Sequence, residues 1–216
     1  MEVLVPFSAA DPKSRLSEVL APDERGSFAR AMLVDVVDAV SACGATPHVL
    51  STAPVEVSTP IDVPVTVDSR PLTTAINDAF EAGVPSSGVD PVDSSPTAVV
   101  MADLALATPD VLGRFFDATG DVVIAPGRGG GTNALVVRDP AFRVDYHGAS
   151  YLDHLRIAAD IDATVHAFDS HRLASDVDTP ADLVEVLVHA DGRAAEWLRT
   201  AGFGLDRSDG RVGIGR

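Results

Sequence analysis

The chain has 216 residues, 46% of them hydrophobic, and a formal net charge of −16; so acidic a surface excludes nonspecific binding to nucleic acid or to an anionic membrane. No apolar run approaches the roughly 20 residues that cross a bilayer, and a single cysteine, Cys43, excludes an internal disulfide and any zinc cluster built on several thiolates. The charge comes from 25 Asp and 7 Glu against 15 Arg and one Lys, spread along the whole chain, a composition suited to high salt, where screening offsets self-repulsion.

Residues 2–6 read as a first strand, and MEVLVPF lacks the basic and long apolar parts of a signal peptide, so the expected location is a reducing cytoplasm. A loop, FSAADPKSR, follows. Phe28, Met32, Val36 and Val40 repeat every four residues and predict a helix over Pro22–Ala42, stopped by Gly44. Cys43 at its end reads as a small buried apolar residue. Residues 47–50 and 63–67 are short strand candidates. Leu72–Ala82 reads as a helix ended by Gly83, and 85–96 as a Ser/Pro/Asp loop. Residues 97–101 then suit a strand buried on both faces. Thr108-Pro109-Asp110 opens a helix to about residue 118. Strands at 121–125 and 134–137 flank a glycine loop, PGRGGGTN. A helix over 151–160, a strand over 163–168 and a loop over 169–178 come next. Thr179 caps a further helix with Asp182 near its positive end, Arg193–Thr200 is the last helix, and 202–216 is an ordered arm or a hairpin. Trp197 reads as core or interface. Alternating strands and helices predict one α/β domain over 1–216, a doubly wound, mostly parallel sheet with an inserted β-hairpin region.

Five patches can carry chemistry. Asp103 stands just past the 97–101 strand, where open α/β sheets bind ligands; it either holds a metal ion or a ligand hydroxyl, or caps a turn. Lys13, the only lysine, lies with Arg15 in the loop after the first strand. Where surface lysine has been nearly eliminated, the one that remains suits a phosphate, as a compact charge on a flexible stem. Gly127–Thr132 is neither a Walker A loop nor a GxGxxG fingerprint; it reads as a backbone anion nest, with Thr132 and Asn133 as added donors, or as a flexible hairpin tip. Asp176 and Asp178 alternate, so both carboxylates fall on one side of an extended segment and, with Asp103, can form an oxygen cage for magnesium; in an Asp-rich chain such a pair also arises by chance. In YHGASYLDH, Gly148 and Ser150 precede a helix start that attracts anions. His147, His154 and His166 have no metal-binding spacing and read as satisfied structural histidines.

Taken together, the segments VPF, DPKSRLSEVLAPDER, ADLALATPDVL, VVIAPGRGGGTNALVV, GASYLDH and LASDVDTPADL resemble, end to end, the CofC family of 2-phospho-L-lactate guanylyltransferases of coenzyme F-420 biosynthesis, in its haloarchaeal type. The resemblance implies a Rossmann-like, GT-A-like fold of the nucleotide-diphospho-sugar transferase type, magnesium, GTP and 2-phospho-L-lactate as substrates, and a homodimer. By position it implies Lys13, Arg15 and Asp103 as catalytic, with Pro6, Phe7 and Thr73 joining them at the nucleotide. It implies Asp103, Asp176 and Asp178 as metal ligands and Gly131, Thr132, Asn133, Gly148 and Ser150 around the acceptor. Two departures stand out: Arg70-Pro71-Leu72-Thr73 replaces a Gly-Leu-Asn motif near the nucleotide, and His147 stands where the family more often has glycine. A sibling transferase acting on phosphoenolpyruvate, 3-phospho-D-glycerate or a molybdopterin, and a non-catalytic nucleotide-binding protein, are the alternatives.

Overall fold

Short apolar, β-branched runs supply the strands in the computed structural model, which describes residues 1–10, 12–55, 62–82, 97–207, 210 and 212–216. In chain order the elements are β1 (Glu2–Phe7), a 3-10 turn (Ser14–Leu16), α1 (Pro22–Ala42), β2 (Thr46–Ser51), β3 (Val65–Val67), α2 (Leu72–Ala82) and β4 (Thr97–Val100). Then come α3 (Pro109–Asp117), β5 (Val122–Pro126), β6 (Thr132–Val137), α4 (Ser150–Asp160), β7 (Val165–Ala167), α5 (His171–Ala174), α6 (Pro180–His189), α7 (Arg193–Thr200), β8 (Gly204–Asp206) and β9 (Gly213–Gly215). The Gly83 helix stop and the 85–96 loop lie outside the described residues.

One seven-stranded sheet runs in the order β3-β2-β1-β4-β6-β5-β7, and β8-β9 form a separate hairpin. Every neighbouring pair in the large sheet is parallel except those that β6 makes with β4 and β5. The strand–glycine loop–strand unit is thus a hairpin set into a parallel sheet. Alternate residues feed two cores, as a strand's period of two demands. Val3, Val5, Ala98 and Val100 face one core, with Phe28 and Met32 of α1, Phe115 of α3 and Leu198 of α7. Leu4, Val99, Ile124 and Leu135 face the other, with Ile76 of α2 and Ala158 of α4. Helices therefore cover both faces, which accounts for strands apolar nearly throughout.

Glu24 accepts the Ala21 N–H at 2.9 Å at the start of α1, and the chain leaves its far end through Gly44 at φ +83°, a conformation that strains a side chain. Cys43 and Trp197 are partly buried against the first core, Trp197 with its ring centroid 5.4 Å from that of Phe28. The one-turn helix α5 falls in what the sequence reads as loop. A single turn has no periodicity to detect, and it is held by tertiary packing of buried Leu173. The tail hairpin is tied down by Arg216, which pairs with Glu24 at 3.1 Å and lies 4.8 Å over the Phe203 ring. No helix among the described residues is long and apolar enough to cross a membrane.

A long-range cap joins the two ends of the chain. The Asp35 carboxylate, on α1, accepts the Arg193 and Ala194 N–H groups at 2.7 and 2.8 Å and so satisfies the start of α7. Asp35→Ala is expected to cost about 1–2 kcal/mol, read as a lower denaturant midpoint in molar KCl with unchanged turnover.

Candidate active site

The chain leaves β1 leftward through β2 to β3, then returns to place β4 on the other side of β1. That reversal opens a crevice at the carboxyl ends of β1 and β4, where an open sheet binds ligands. The loop after β1 is tied back by the Ala9 N–H, which donates to Thr52 Oγ1 at 3.0 Å, and by Leu16, fully buried in the 3-10 turn. Between these anchors Lys13 adopts φ +57°, a left-handed conformation rare for a non-glycine residue and a mark of functional positions.

This turn aims the only lysine inward. Its ammonium donates to Asp103 Oδ2 at 2.7 Å and Asp178 Oδ1 at 2.8 Å, with only 11% of the side chain exposed. Burial alone would lower the Lys13 pKa; the charges of Asp103 and Asp178 and their hydrogen bonds outweigh it and raise it. Arg15 donates to Asp178 Oδ2 at 2.9 Å from a side chain that is 73% exposed, so it can follow a ligand. The Val177 N–H reaches the Asp103 carbonyl at 3.2 Å and fixes the two acidic segments together. Asp182 holds the second segment from below. It accepts the Asp178 and Thr179 N–H groups at 3.1 and 2.7 Å and pairs with Arg128 at 2.6 Å. Burial opposes its charge, but those hydrogen bonds win and lower its pKa. Sequence reading places Asp182 only as a helix-end acid; its role in aiming Asp178 shows only when Arg128 arrives from the glycine loop.

A cavity of about 440 Å³ opens here, within the range of small-ligand sites, lined by Pro6, Phe7, Lys13, Arg15, Asp103 and Asp178 among others. Thr73 does not line it; its Oγ1 accepts the Tyr146 N–H at 2.9 Å. Nor does Asp176 join the other two acids. With Val177 buried between them, Asp178 meets Lys13 while Asp176 accepts from Asn133 Nδ2 at 3.1 Å. Among the described residues no three His, Cys, Asp or Glu side chains form a ready-made metal cage. The residues still fit a hard cation. Asp103 Oδ1 is buried with no hydrogen-bond partner among the described residues, an arrangement that costs free energy unless something else supplies the positive charge. Magnesium characteristically takes one or two carboxylates and completes its shell from water and phosphate.

The acceptor residues named from sequence form a second cluster beside this one. The Thr132 N–H donates to Ser150 Oγ at 2.9 Å, Thr132 Oγ1 lies 2.8 Å from His154 Nδ1, and Asn133 also donates to the Leu173 carbonyl at 2.9 Å. Gly131 lies beside Ser150, while Gly148, at φ +51°, stands apart with nothing within 4 Å of where a Cβ would sit. The glycine loop is not a loose tip, and most of its N–H groups do not form an open nest. The N–H groups of Gly127, Arg128, Gly130 and Thr132 are all engaged inside the protein, on Gly131, Ala174, Gly127 and Ser150. A Cβ on Gly127 would lie 2.5 Å from Asn133 Oδ1, so glycine there lets Asn133 reach Asp176.

His154 is the group sequence reading treats as merely structural, and its surroundings define its proton. The Asp145 N–H donates to Nε2 at 3.0 Å, so Nδ1 carries the hydrogen and donates to Thr132 Oγ1. Thr132 and Ser150 each accept from within the protein, and their own hydroxyl protons are left to donate. Burial pushes the His154 pKa down to about 4. A folded pKa below the unfolded value near 6.5 means that the unfolded chain takes the proton first. The stabilisation is therefore full above pH 6.5 and is lost as pH falls toward 4, by about 3 kcal/mol. Urea titrations in molar KCl are expected to show this acid loss in the wild type and a reduced one in His154→Asn.

Comparison with known proteins places these features in context. The family model described as "Guanylyl transferase CofC like" matches residues 1–213. The 2-phospho-L-lactate guanylyltransferase of Halorubrum lacusprofundi is 58% identical, with 100% of both chains covered. That of Halomicrobium mukohataei is 57% identical, again over 100% of each chain. Among solved structures, a protein from Desulfovibrio desulfuricans provisionally described as a nucleotide-diphospho-sugar transferase superposes with a TM-score of 0.69 at 16% identity, covering 93% of this chain and 94% of its own. A Methanothermobacter nucleotidyl transferase superposes with a TM-score of 0.59 at 16% identity, covering 92% and 98%. At that identity the superpositions establish the nucleotidyltransferase-like fold that the resemblance implies; the strand–helix alternation by itself predicts its α/β class.

Proposed function

Because the chain belongs to the CofC-like guanylyl transferase family, we propose that it transfers GMP from GTP to 2-phospho-L-lactate, giving lactyl-2-diphospho-5'-guanosine and pyrophosphate for coenzyme F-420. An oxygen of the acceptor phosphate attacks the α-phosphorus in line. The bond to the bridging oxygen breaks, and pyrophosphate leaves with the electron pair. Positioning and electrostatics carry such a step without a covalent intermediate.

The observation that carries this reading is the sole lysine, largely shielded from solvent at the switch point between Asp103 and Asp178. Two cations, Lys13 and Arg15, face two anions, Asp103 and Asp178, so their formal charges cancel. Two polyanionic substrates need more positive charge than that. Asp103 and Asp178 are the residues that would hold a magnesium ion, with Asp176 next in the same segment; bound there it would supply that charge and polarise the α-phosphate. Lys13 and Arg15 hold the triphosphate and then the leaving pyrophosphate. Thr132 and Ser150, their protons free to donate, orient the acceptor's carboxylate, and Asn133 fixes that cluster to the acidic segment.

The test is pyrophosphate release in molar KCl with magnesium, from each of GTP, ATP, CTP and UTP against 2-phospho-L-lactate, phosphoenolpyruvate and 3-phospho-D-glycerate. Release is expected to be greatest with GTP and 2-phospho-L-lactate. A clear preference for another acceptor would replace the substrate proposed here, and no release from any pair would remove the catalytic reading. The homodimer carried over from the resemblance is tested by sedimentation in the same buffer.

A further inference from the structure

The cavity has a second polar end that the transfer chemistry does not use. Asp68, one residue past β3, and Arg70 both line it. Asp68 is pinned to the end of β2 by its N–H, which donates to the Ser51 carbonyl at 2.8 Å. Its carboxylate takes the Arg70 N–H and Nε on Oδ1, both at 3.0 Å, and Arg70 Nη2 on Oδ2 at 2.6 Å. Arg70 Nη1 pairs with Asp78 of α2. Two carboxylates from different elements thus hold one guanidinium plane in place, and with its Nε and one proton of each terminal nitrogen engaged, a proton on each remains. The wall between this end and Lys13 is apolar: Leu50, Leu72, Ala75 and Met101.

Two arguments say what lies here. In the order β3-β2-β1-β4, Asp68 and Asp103 follow strands three spacings apart, about 14 Å, a span suited to a nucleotide reaching from base edge to phosphates. The charge at the two ends also differs in sign of effect. Arg70 against Asp68 and Asp78 sums to −1, which repels phosphates and tolerates a neutral base. The Lys13 end sums to zero and becomes positive with a divalent cation.

We propose that Arg70 reads the base, donating its two remaining protons to guanine O6 and N7, with Asp68 as the positioning residue that fixes its plane. This is the pairing that a guanidinium fork makes best. Adenine and cytosine turn an amino group toward the fork where guanine presents a carbonyl, and donor then faces donor. The inference deepens the guanylyl reading and rests on it for the nucleotide, but not for the acceptor.

Equilibrium binding to the full chain with magnesium in molar KCl, without acceptor, tests it. Inosine triphosphate keeps O6 and N7 and lacks only the 2-amino group, so it is expected to bind within about twofold of GTP; 7-deaza-GTP, lacking N7, is expected to bind about tenfold more weakly, and ATP weaker still. Arg70→Ala is expected to lower GTP affinity about 10- to 100-fold, leave ATP affinity unchanged, and so erase the preference. Arg70→Lys keeps the charge without the fork and is expected to recover little of it. Arg70 is half exposed, so circular dichroism is expected to report an intact fold. A marked loss with inosine triphosphate, unaltered binding of 7-deaza-GTP, or a GTP preference that survives Arg70→Ala would overturn the assignment. If GTP binds in this pattern yet no transfer to 2-phospho-L-lactate occurs, the acceptor assignment fails and Arg70 keeps its role. If wild type binds GTP and ATP alike, Arg70 loses it.

Discussion

Asp103→Asn is expected to lower turnover about 10³-fold while the protein stays folded. The substitution keeps size and shape but removes the charge that a divalent cation needs, and turns one carboxylate oxygen, of which the buried Oδ1 has no partner among the described residues, into an amide nitrogen that cannot ligate a cation. Lys13 keeps Asp178 at 2.8 Å, so no cation is left stranded, and the structural cost is held to about 1–2 kcal/mol. The effect belongs in kcat more than in the KM for GTP, because the charge at stake develops in the transition state. Pyrophosphate release and thermal unfolding in molar KCl separate the two. Turnover near the wild-type value in a folded variant would sink the assignment of Asp103 to the chemistry.

How much of this could be read beforehand divides along local and long-range lines. Helix α1 is legible to the residue, because its apolar stripe runs more than five turns and is bounded by Pro22 and Gly44. Lys13 is legible through scarcity, and Asp103 through its place after a buried strand. The sequence does not say which member of Asp176-Val177-Asp178 turns toward the lysine. Alternation puts the two acids on one side, but the choice between them is made by Asn133, 43 residues away from Asp176, and by Asp182 pulling on the Asp178 N–H. The same limit hides the partner on the other side of β6: its hairpin with β5 is read from the sequence, but its antiparallel pairing with β4 is long-range. Arg70 reads in the sequence only as a departure from a motif. Its significance appears when α2 brings Asp78 and β3 brings Asp68 to it. His154 does prove to be a satisfied buried histidine, yet the atom it satisfies, Thr132 Oγ1, belongs to the proposed acceptor cluster.

Replacing Lys13 makes the strongest demand on this picture, because charge, shape and backbone each give a separate expectation. Lys13→Arg preserves the charge, but a planar fork replaces a point donor in a space that leaves 11% of the side chain exposed, with oxygens at 2.7 and 2.8 Å on two sides; about 10²-fold or more of turnover is expected to go. Lys13→Gly is expected to lose about 10³-fold, and it relieves the φ +57° backbone by about 1 kcal/mol, partly offsetting the repulsion between Asp103 and Asp178 left facing each other. Glycine is therefore expected to unfold at a higher temperature than alanine at this position while being no more active, a divergence that a purely structural lysine would not produce. The pH dependence has a definite sign as well. A raised folded pKa means that the Lys13 contribution is fully present below the unfolded value of 10.5 and fades only as pH rises through the higher folded value, so wild-type turnover is expected to show no alkaline limb from Lys13 up to about pH 10. An arginine variant with near-full turnover, or a lysine that titrates near neutrality, would leave the two carboxylates without the partner on which the site's charge balance rests.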